Sequence, residues 1–367
     1  MIPVTKPYLP SQQKLKDYID SIYERQWLTN NGVLVQELTQ RLEAYLGVEN
    51  LLLVSNGTLA LQVAYRSLDI AESNRAATPE AITTPFTFIA TASSLKWEGV
   101  QPIFADIDSN TWCIDPEKIE AAITPNSRAI VPVHVFGNAC DVEAIDRVAA
   151  RHKLKIVYDA SHAFGVRFRN QSLLNYGDAS TLSFHATKLF HTIEGGAIVF
   201  KRKEDHQRAT KLINFGITGP DSIGELGINA KMNEFQAAMG LCVLDEIESN
   251  VTARSLVSRH YDKHLPLCVE RQQWNTEANS NHAYLPVVFE SQAQALAVLH
   301  RLSEAGVTAR RYFYPSLDQA ELEMGTGQTM PVSRDIASRI LCLPIYAALK
   351  PAELSLITDL VKEVVAS

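Results

Sequence analysis

Between about residues 50 and 200, short apolar segments alternate with segments of helical periodicity. The apolar segments are short and partly β-branched, as strands buried on both faces should be. They are residues 51–54, 81–84, 101–104, 129–133, 155–158 and 197–200. Helical patterns such as 59–68 and 142–153 lie between them. This alternation predicts an α/β fold in which helices cover both faces of a mainly parallel sheet.

The chain is too long for one hydrophobic core. It has 367 residues, of which 46% are apolar, and single cores usually stop growing below this length. A long amphipathic pattern at about 233–267 leads into a part of α+β character, with a strand at 283–289 and a helix at 291–306. We therefore expect a large domain over 1–245 and a smaller C-terminal domain over 246–367.

Composition narrows the possible partners. Charged residues make up 20% of the chain and the formal net charge is −7, so nucleic acid and anionic membranes are not expected as partners. The start of the sequence lacks the pattern of a secretory signal and no apolar run approaches a membrane span, which predicts a cytoplasmic protein. Five scattered cysteines without a C-x-x-C pair argue against disulfides and against a metal site, and predict buried cysteine side chains.

A lysine and an aspartate at two strand ends carry the strongest chemical signal. Lys188 closes the segment Ser183-Phe184-His185-Ala186-Thr187-Lys188, which precedes Gly195-Gly196, and Asp159 ends the strand at 155–158. Pyridoxal 5′-phosphate needs an amine for its Schiff base and a carboxylate to keep its pyridine nitrogen protonated. Taken singly, each residue is also compatible with a surface lysine or a helix-capping aspartate.

Three further features follow other strands. Ser55-Asn56-Gly57-Thr58 opens a helix, so it is either an anion-binding turn for a phosphate or an ordinary helix cap. Phe88 is placed to stack on a ring or to pack in the core. His162 is placed to donate to a ring oxygen or to serve as a core histidine.

These features coincide at strand ends, where ligands of such sheets collect. The sequence contains no G-x-G-x-x-G, G-x-x-x-x-G-K-[ST], H-E-x-x-H or G-x-S-x-G pattern, so dinucleotide, nucleoside triphosphate, zinc protease and hydrolase interpretations lack their motifs. The coincidence therefore favours pyridoxal phosphate.

Several segments spread over nearly the whole chain carry a resemblance to a known family. They include Trp27-Leu28-Thr29-Asn30-Asn31-Gly32, Thr84-Pro85-Phe86-Thr87-Phe88-Ile89-Ala90-Thr91, Asp159-Ala160-Ser161-His162, the segment that ends at Lys188, and Asn233-Glu234-Phe235-Gln236-Ala237-Ala238. With these segments the chain resembles the DegT/DnrJ/StrS family of sugar-nucleotide aminotransferases nearly from end to end. The resemblance implies the aspartate aminotransferase fold, which is fold type I of the pyridoxal phosphate enzymes. It has a mainly parallel seven-stranded sheet in the large domain and a smaller α+β C-terminal domain.

The resemblance also implies roles around the cofactor ring. Lys188 would carry the Schiff base and Asp159 would pair with the pyridine nitrogen. Phe88 would stack on the ring, and His162 would lie near the ring oxygen.

At the phosphate, the resemblance implies contacts from Gly57, Thr58 and Ser183. Asn229 matches an asparagine that reaches the phosphate from the neighbouring subunit in many members, which implies a homodimer with its active site at the subunit interface. Asn233 departs from the serine or threonine that is usual at that position.

The reaction implied is a transfer through pyridoxamine phosphate from an amino acid, by family analogy L-glutamate, to a nucleotide-linked keto sugar. The N-terminal segment and the lysine segment look most like enzymes that aminate dTDP-4-keto-6-deoxy-D-glucose at C4. Expected substrate contacts, chosen as cationic and amide donors for a nucleotide diphosphate, are Lys6, Asn30, Asn31, His191, Arg310 and Arg311.

Other functions stay open at this point. They are amination at C3 of a dTDP-3-keto sugar, amination of a UDP- or GDP-linked 4-keto sugar, aldol cleavage, and an inactive ligand-binding scaffold of the same fold.

Overall fold

The computed structural model describes residues 1–71, 78–321, 325 and 329–366. Its α-helices are α1 (Gln12–Arg25), α2 (Val33–Leu46), α3 (Gly57–Ser67), α4 (Ile89–Trp97), α5 (Pro116–Ala121), α6 (Val142–His152), α7 (Lys203–Leu212), α8 (Glu234–Asp245), α9 (Ile247–His264), α10 (Gln292–Glu304), α11 (Pro331–Arg339) and α12 (Pro351–Val365). Its strands are β1 (Leu51–Val54), β2 (Glu80–Thr83), β3 (Gln101–Phe104), β4 (Ser127–Val131), β5 (Lys155–Asp159), β6 (Arg167–Phe168), β7 (Gln171–Ser172), β8 (Ala179–Ser183), β9 (Gly196–Phe200), β10 (Ile217–Gly219), β11 (Ser222–Ile223), β12 (Glu270–Arg271), β13 (Pro286–Val288) and β14 (Ile340–Cys342).

A seven-stranded sheet forms the centre of the molecule, with the order β1-β9-β8-β5-β4-β2-β3. The pairs from β8 to β3 are parallel, whereas β9 runs antiparallel to both of its neighbours. The prediction of a mainly parallel seven-stranded sheet is confirmed. Because β9 reverses direction between β1 and β8, the carboxyl ends of β1, β8, β5, β4 and β2 all meet at one edge of the sheet.

The strand β8 does not appear among the segments that the sequence pattern selects. Its sequence, Ala-Ser-Thr-Leu-Ser, is more than half polar, although four of its five residues are buried. The structure accounts for the buried hydroxyls, because Thr181 donates to the carbonyl of Tyr158 at 3.3 Å and Ser180 donates to the carbonyl of Tyr176 at 3.4 Å. Hydrogen-bonded hydroxyl groups can be buried at little cost, so an apolar pattern is not required here.

Alternating side chains of the central strands enter two different cores. Ile82, Ile130 and Ile156 belong to one buried cluster, together with α2, α6 and α8. Ala81 and Ala129 belong to another, which α3 and α7 cover. This period of two is the geometry of a sheet buried on both faces.

A three-stranded sheet of β12, β13 and β14 lies in the C-terminal part. A third buried cluster joins β13 and β14 to α9, α10 and α12, and apart from Ile2 all its buried members follow residue 256. The division of the chain into domains at residues 245 and 246 stays a prediction.

The continuous amphipathic pattern at 233–267 is two helices in the structure. α8 ends at Asp245 and α9 begins at Ile247, with Glu246 between them at φ −113° and ψ 8°. The carboxylate of Glu246 accepts hydrogen bonds from the hydroxyl of Tyr8 at 2.7 Å and from the amide of Ser11 at 3.1 Å. The break therefore lies where the N-terminal arm of the chain is attached.

Asn233 forms a complete N-terminal cap on α8. Its side-chain oxygen accepts from the amide of Gln236 at 2.9 Å, and the side chain of Gln236 accepts from the amide of Asn233 at 3.1 Å. Asparagine caps helices as well as serine or threonine does. The departure from the usual residue at this position thus keeps the local hydrogen bonds.

Glu234 is fully buried and caps a helix other than its own. Its two carboxylate oxygens accept from the amides of Leu34 and Val35, each at 3.0 Å, at the start of α2. A Cβ atom at Gly32 would lie 2.5 Å from the carboxyl carbon of Glu234, so the approach requires glycine. Glu234 thereby fixes the position of the preceding Asn30-Asn31 turn against α8.

Two features of the described residues concern location and cysteine chemistry. None of their helices combines the length and the apolar character that a membrane crossing requires. The cytoplasmic location stays a prediction.

Four of the five cysteines are buried as predicted: Cys113, Cys140, Cys242 and Cys342. Cys268 is exposed, because it lies in the turn that follows α9.

Substitution of Glu234 by alanine is expected to destabilise the fold by about 3 kcal/mol, because it leaves two amides at a buried helix start without their charged acceptor. The measurement is the midpoint of denaturant unfolding. Glu37→Ala, which removes a partly exposed carboxylate from α2, is the matched control and should move the midpoint little. Equal shifts for the two variants would contradict the capping role of Glu234.

Candidate active site

A cavity of about 370 Å³ opens at the edge of the sheet where the carboxyl ends of the strands meet. This volume lies within the range of small-molecule sites. Its lining contains every residue that the sequence analysis placed around the cofactor of its own subunit: Gly57, Thr58, Phe88, Asp159, His162, Ser183 and Lys188. The structure thus brings together residues that are up to 131 positions apart (188 − 57).

The turn after β1 has the geometry of an anion-binding site. Asn56 caps α3 by accepting from the amide of Leu59 at 2.8 Å, and Gly57 and Thr58 form the first helical turn. A Cβ atom on Gly57 would lie 2.8 Å from the Cβ atom of Ser183, so only glycine permits this approach of helix and strand. The amides of the first turn and the hydroxyls of Thr58 and Ser183 therefore form one group of donors, which fits a phosphate.

Asp159 ends β5 and is held in a fixed orientation. Its Oδ2 atom accepts from the hydroxyl of Thr91 at 2.8 Å, and its Oδ1 atom accepts from the amide of Ser161 at 3.1 Å. Thr91 is in turn 2.9 Å from the hydroxyl of Thr87. With 6% of its surface exposed, the carboxylate is a suitable partner for a protonated pyridine nitrogen. Sequence reasoning missed Thr91, although it lies within a segment that carries the family resemblance.

His162 is a neutral imidazole whose tautomer is set by its surroundings. Burial and the nearby charge of Lys188 lower the pKa of His162 well below its ordinary value. Its Nδ1 atom accepts from the amide of Phe136 at 3.1 Å, which leaves the ring proton on Nε2. The rings of Phe136 and Phe313 lie nearly parallel to the imidazole, at centroid distances of 6.1 and 5.9 Å. His162 is thereby a hydrogen-bond donor, as an interaction with a ring oxygen requires.

Lys188 lies in the turn after β8 and contacts a residue that sequence reasoning did not select. Its Nζ atom donates to the hydroxyl of Tyr284 at 3.0 Å, and the same ring is 4.5 Å from that of His162. Tyr284, Tyr312 and Phe313 come from the C-terminal part and line the cavity opposite the strand ends. Tyr284 precedes β13 in an apolar segment, so no local pattern distinguishes it from a core residue.

Phe88 and Asn229 are both exposed. The ring of Phe88 lies in the cavity wall with 58% of its surface accessible, so it is free to stack on a planar ligand. Asn229 is outside the cavity of its own chain, on an exposed segment that pairs with Asn214. Neither side chain is part of the hydrophobic core.

The six predicted substrate contacts do not line this cavity. Lys6 and Arg310 are exposed, and Asn30 and Asn31 border a second cavity of about 540 Å³ beside Lys231. These four residues remain accessible to a ligand.

His191 and Arg311 are occupied by contacts within the chain. The Nε2 atom of His191 donates to the carbonyl of Tyr8 at 2.7 Å and its Nδ1 atom accepts from the amide of Ile193, while the ring is 2% exposed. The guanidinium of Arg311 lies 3.4 Å from the ring centre of Tyr314 and donates to the carbonyl of Ser338. The geometry therefore indicates that His191 binds the N-terminal arm to the rest of the chain, and it does not support His191 as a substrate contact.

Comparison with known proteins gives full-length matches. The DegT/DnrJ/EryC1/StrS aminotransferase family matches residues 11–362. A dTDP-4-amino-4,6-dideoxy-D-glucose transaminase of Shigella dysenteriae is 39% identical over 367 residues, which cover 98% of this chain and 98% of that protein. An Escherichia coli transaminase of the same description is 35% identical over 380 residues and 98% of this chain, with 97% of its own length covered.

Solved structures agree with the fold. The crystal structure of DesI, determined in the presence of its TDP-sugar product, superposes with a TM-score of 0.92 at 32% identity and covers 99% of this chain and 93% of its own. Helicobacter pylori PseC, an aminotransferase involved in the biosynthesis of pseudoaminic acid, has a TM-score of 0.89 at 26% identity, with 100% and 99% covered. The predicted fold class is confirmed.

Asp159→Asn is expected to weaken the binding of pyridoxal phosphate by about 10- to 100-fold, because it removes a charge-assisted hydrogen bond and keeps the side-chain shape. The measurement is a fluorescence or absorbance titration of the cofactor-free protein. Asp178→Asn is the control, since Asp178 binds the amide of Ile156 at the opposite end of the same strands. An Asp159→Asn variant that binds as tightly as the unsubstituted chain would contradict this assignment.

Proposed function

Because the chain belongs to the DegT/DnrJ/EryC1/StrS aminotransferase family, we propose that it binds pyridoxal phosphate in the cavity at the sheet edge and aminates a nucleotide-linked keto sugar. The amino donor is L-glutamate. The acceptor is dTDP-4-keto-6-deoxy-D-glucose, which becomes dTDP-4-amino-4,6-dideoxy-D-glucose. The observation that carries the choice of acceptor is the match over nearly the full length to two transaminases described by this product.

The geometry of the cavity supports each proposed cofactor contact. The amides of the α3 start, with Thr58 and Ser183, hold the phosphate, and Asp159 binds the pyridine nitrogen. His162 donates from Nε2 to the ring oxygen, and Phe88 covers one face of the ring. When bound, pyridoxal phosphate supplies an electron-withdrawing ring that makes the α-carbon of the amino acid acidic.

Lys188 has two tasks in this proposal. Its Nζ atom would carry the covalent link to the cofactor, and as a free amine it would take up and release the proton of the substrate α-carbon. The tyrosine hydroxyl 3.0 Å away accepts a hydrogen bond from this amine and limits its positions. Holding the cofactor phosphate and moving the proton thus depend on different residues.

The active site is completed by a second copy of the chain. Large apolar side chains are exposed around Asn229, among them Ile223 at 76% and Leu226 at 82%, in the segment that contains the β10-β11 hairpin. Several exposed large apolar side chains within one short segment are typical of an interface between subunits. In the homodimer, Asn229 reaches the phosphate of the neighbouring subunit, and Lys6, Asn30, Asn31 and Arg310 are available for the sugar nucleotide.

The proposed reaction is tested by incubating the purified protein with pyridoxal phosphate, glutamate and a panel of keto-sugar nucleotides, and identifying the amino sugar. We expect product from the dTDP-linked 4-keto sugar and a loss of more than about a thousandfold in Lys188→Ala, which still binds inorganic phosphate. Lys155→Ala, at the opposite edge of the sheet, is the control and should keep its activity.

The outcomes of this test separate the alternatives. Product only from a dTDP-3-keto sugar or from a UDP- or GDP-linked sugar would overturn the acceptor and leave the reaction class standing. A chain that binds no pyridoxal phosphate and yields no amino sugar would be the scaffold. Release of an aldehyde from a β-hydroxy amino acid would show an aldolase.

Shared active sites predict that two inactive variants restore each other. Lys188→Ala lacks the amine, and Asn229→Asp places a carboxylate against the phosphate of the partner's site. In an equal mixture, half of the dimers are mixed and each has one complete site, so the activity should reach about a quarter of that of the unsubstituted protein. The measurement is transfer activity after denaturation and refolding of the variants together, compared with the variants refolded separately. Absence of restored activity would contradict the shared site.

A further inference from the structure

Arg254 is a buried cation with neutral partners. It lies on α9 with 2% of its surface exposed. Its Nε atom donates to the side-chain oxygen of Asn250 at 3.3 Å, and its Nη1 atom donates to the carbonyls of Ala283 at 3.3 Å and Ile345 at 3.2 Å. Burial lowers the pKa of Arg254 to about 10, so it remains charged at neutral pH. Within the described part of the chain, no carboxylate forms an ion pair with it.

The stability of the fold does not by itself explain a buried cation with neutral partners. Desolvation of a guanidinium is unfavourable, and apolar side chains often replace buried charged groups without loss of stability. We therefore asked which groups the contacts of Arg254 hold in place. Its partners lie next to the cavity.

The contacts form a closed ring of hydrogen bonds and chain neighbours that includes Lys188 and Tyr284 in the cavity wall. The side-chain amide of Asn250 donates to the carbonyl of Leu189 at 3.1 Å, and Leu189 follows Lys188 in the chain. On the other side, Ala283 precedes Tyr284, whose hydroxyl accepts from the Nζ atom of Lys188 at 3.0 Å. Asn250 and Arg254 thus connect the backbone beside the lysine to the backbone beside the tyrosine.

We propose that Asn250 and Arg254 are positioning residues that hold the hydroxyl of Tyr284 against the amine of Lys188. The inference rests on the proposed function and deepens it. By accepting one N–H of the amine, the tyrosine oxygen directs the lone pair of the same nitrogen towards the reacting carbon. The proton moves between that carbon and Nζ, and neither tyrosine nor arginine gains or loses one.

The test is a double-mutant cycle with Arg254→Lys, Tyr284→Phe and their combination. Arg254→Lys keeps the buried charge but loses the Nε donor to Asn250 and the planar guanidinium whose Nη1 atom binds both carbonyls. The first readout is the NMR chemical shift of the Cε carbon of Lys188 in the cofactor-free protein, which carries carbon-13-labelled lysine and is assigned with Lys188→Arg. The second is kcat and KM for the transfer from glutamate, with pyridoxal phosphate bound.

We expect each single variant to change the Cε chemical shift of Lys188 and to reduce kcat by about 10- to 100-fold with little change in KM, since a misplaced catalytic group costs rate more than binding. In the Tyr284→Phe background, Arg254→Lys should add less than about twofold, because its effect passes through the tyrosine. Arg339→Lys is the matched control, since Arg339 is mostly buried, donates to the carbonyl of Phe289 and lies on α11. It should leave kcat and the Cε chemical shift of Lys188 unchanged.

Equal effects of Arg254→Lys in both backgrounds, or an unchanged Cε chemical shift of Lys188, would overturn the proposal and leave Arg254 a residue of the fold alone. If Arg254→Lys does not fold, Asn250→Ala enters the same cycle with the same expected outcome, because Asn250 forms the other half of the connection. The NMR cycle needs no cofactor and no sugar. A non-additive cycle in a protein that transfers no amine would therefore contradict the proposed reaction without contradicting the positioning role.

Discussion

The common direction of β2, β4, β5 and β8 is the constraint on which the rest of the structure depends. Parallel strands place their carboxyl ends at one edge, so the turns that follow them meet although they are far apart in the chain. The reversed strand β9 returns the chain so that β1 adds its glycine turn to the same edge. The anion-binding turn, the aspartate and the lysine are consequently neighbours because of the sheet topology.

Buried charged groups connect the parts of this molecule, and each has hydrogen-bonding partners of a different kind. Asp159 is oriented by a threonine hydroxyl and a backbone amide. Glu234 binds two amides at the start of α2. Arg254 binds carbonyls and an amide side chain. A buried charge without such partners would be strongly destabilising, so each of these contacts restricts the elements that supply it to one arrangement.

Sequence reasoning reached the fold class and the cofactor side of the cavity because both depend on local patterns. Apolar segments of strand length predicted six strands of the sheet, and small polar turns after two of them marked the glycine turn and Asp159. The lysine segment was recognised by its hydroxyl groups and by the two glycines that follow it. It failed where the pattern was ambiguous. β8 carries buried hydroxyls, and the helix at 233–267 is interrupted at Glu246 because the N-terminal arm binds there. As a donor to the nucleotide diphosphate, His191 stays a prediction, and within the chain its ring binds the same arm.

The amino-acid sequence by itself determined which residues have the chemistry: an amine in a hydroxyl-rich turn, a carboxylate at a strand end and a glycine at a helix start. Only the tertiary structure decided how these groups are oriented. Thr91 meets Asp159 across 68 positions of the chain and Lys188 meets Tyr284 across 96. The tautomer of His162 depends on an amide 26 positions away. Hydrogen bonds between such distant residues follow from the packing of whole elements, and no local pattern of side chains specifies them.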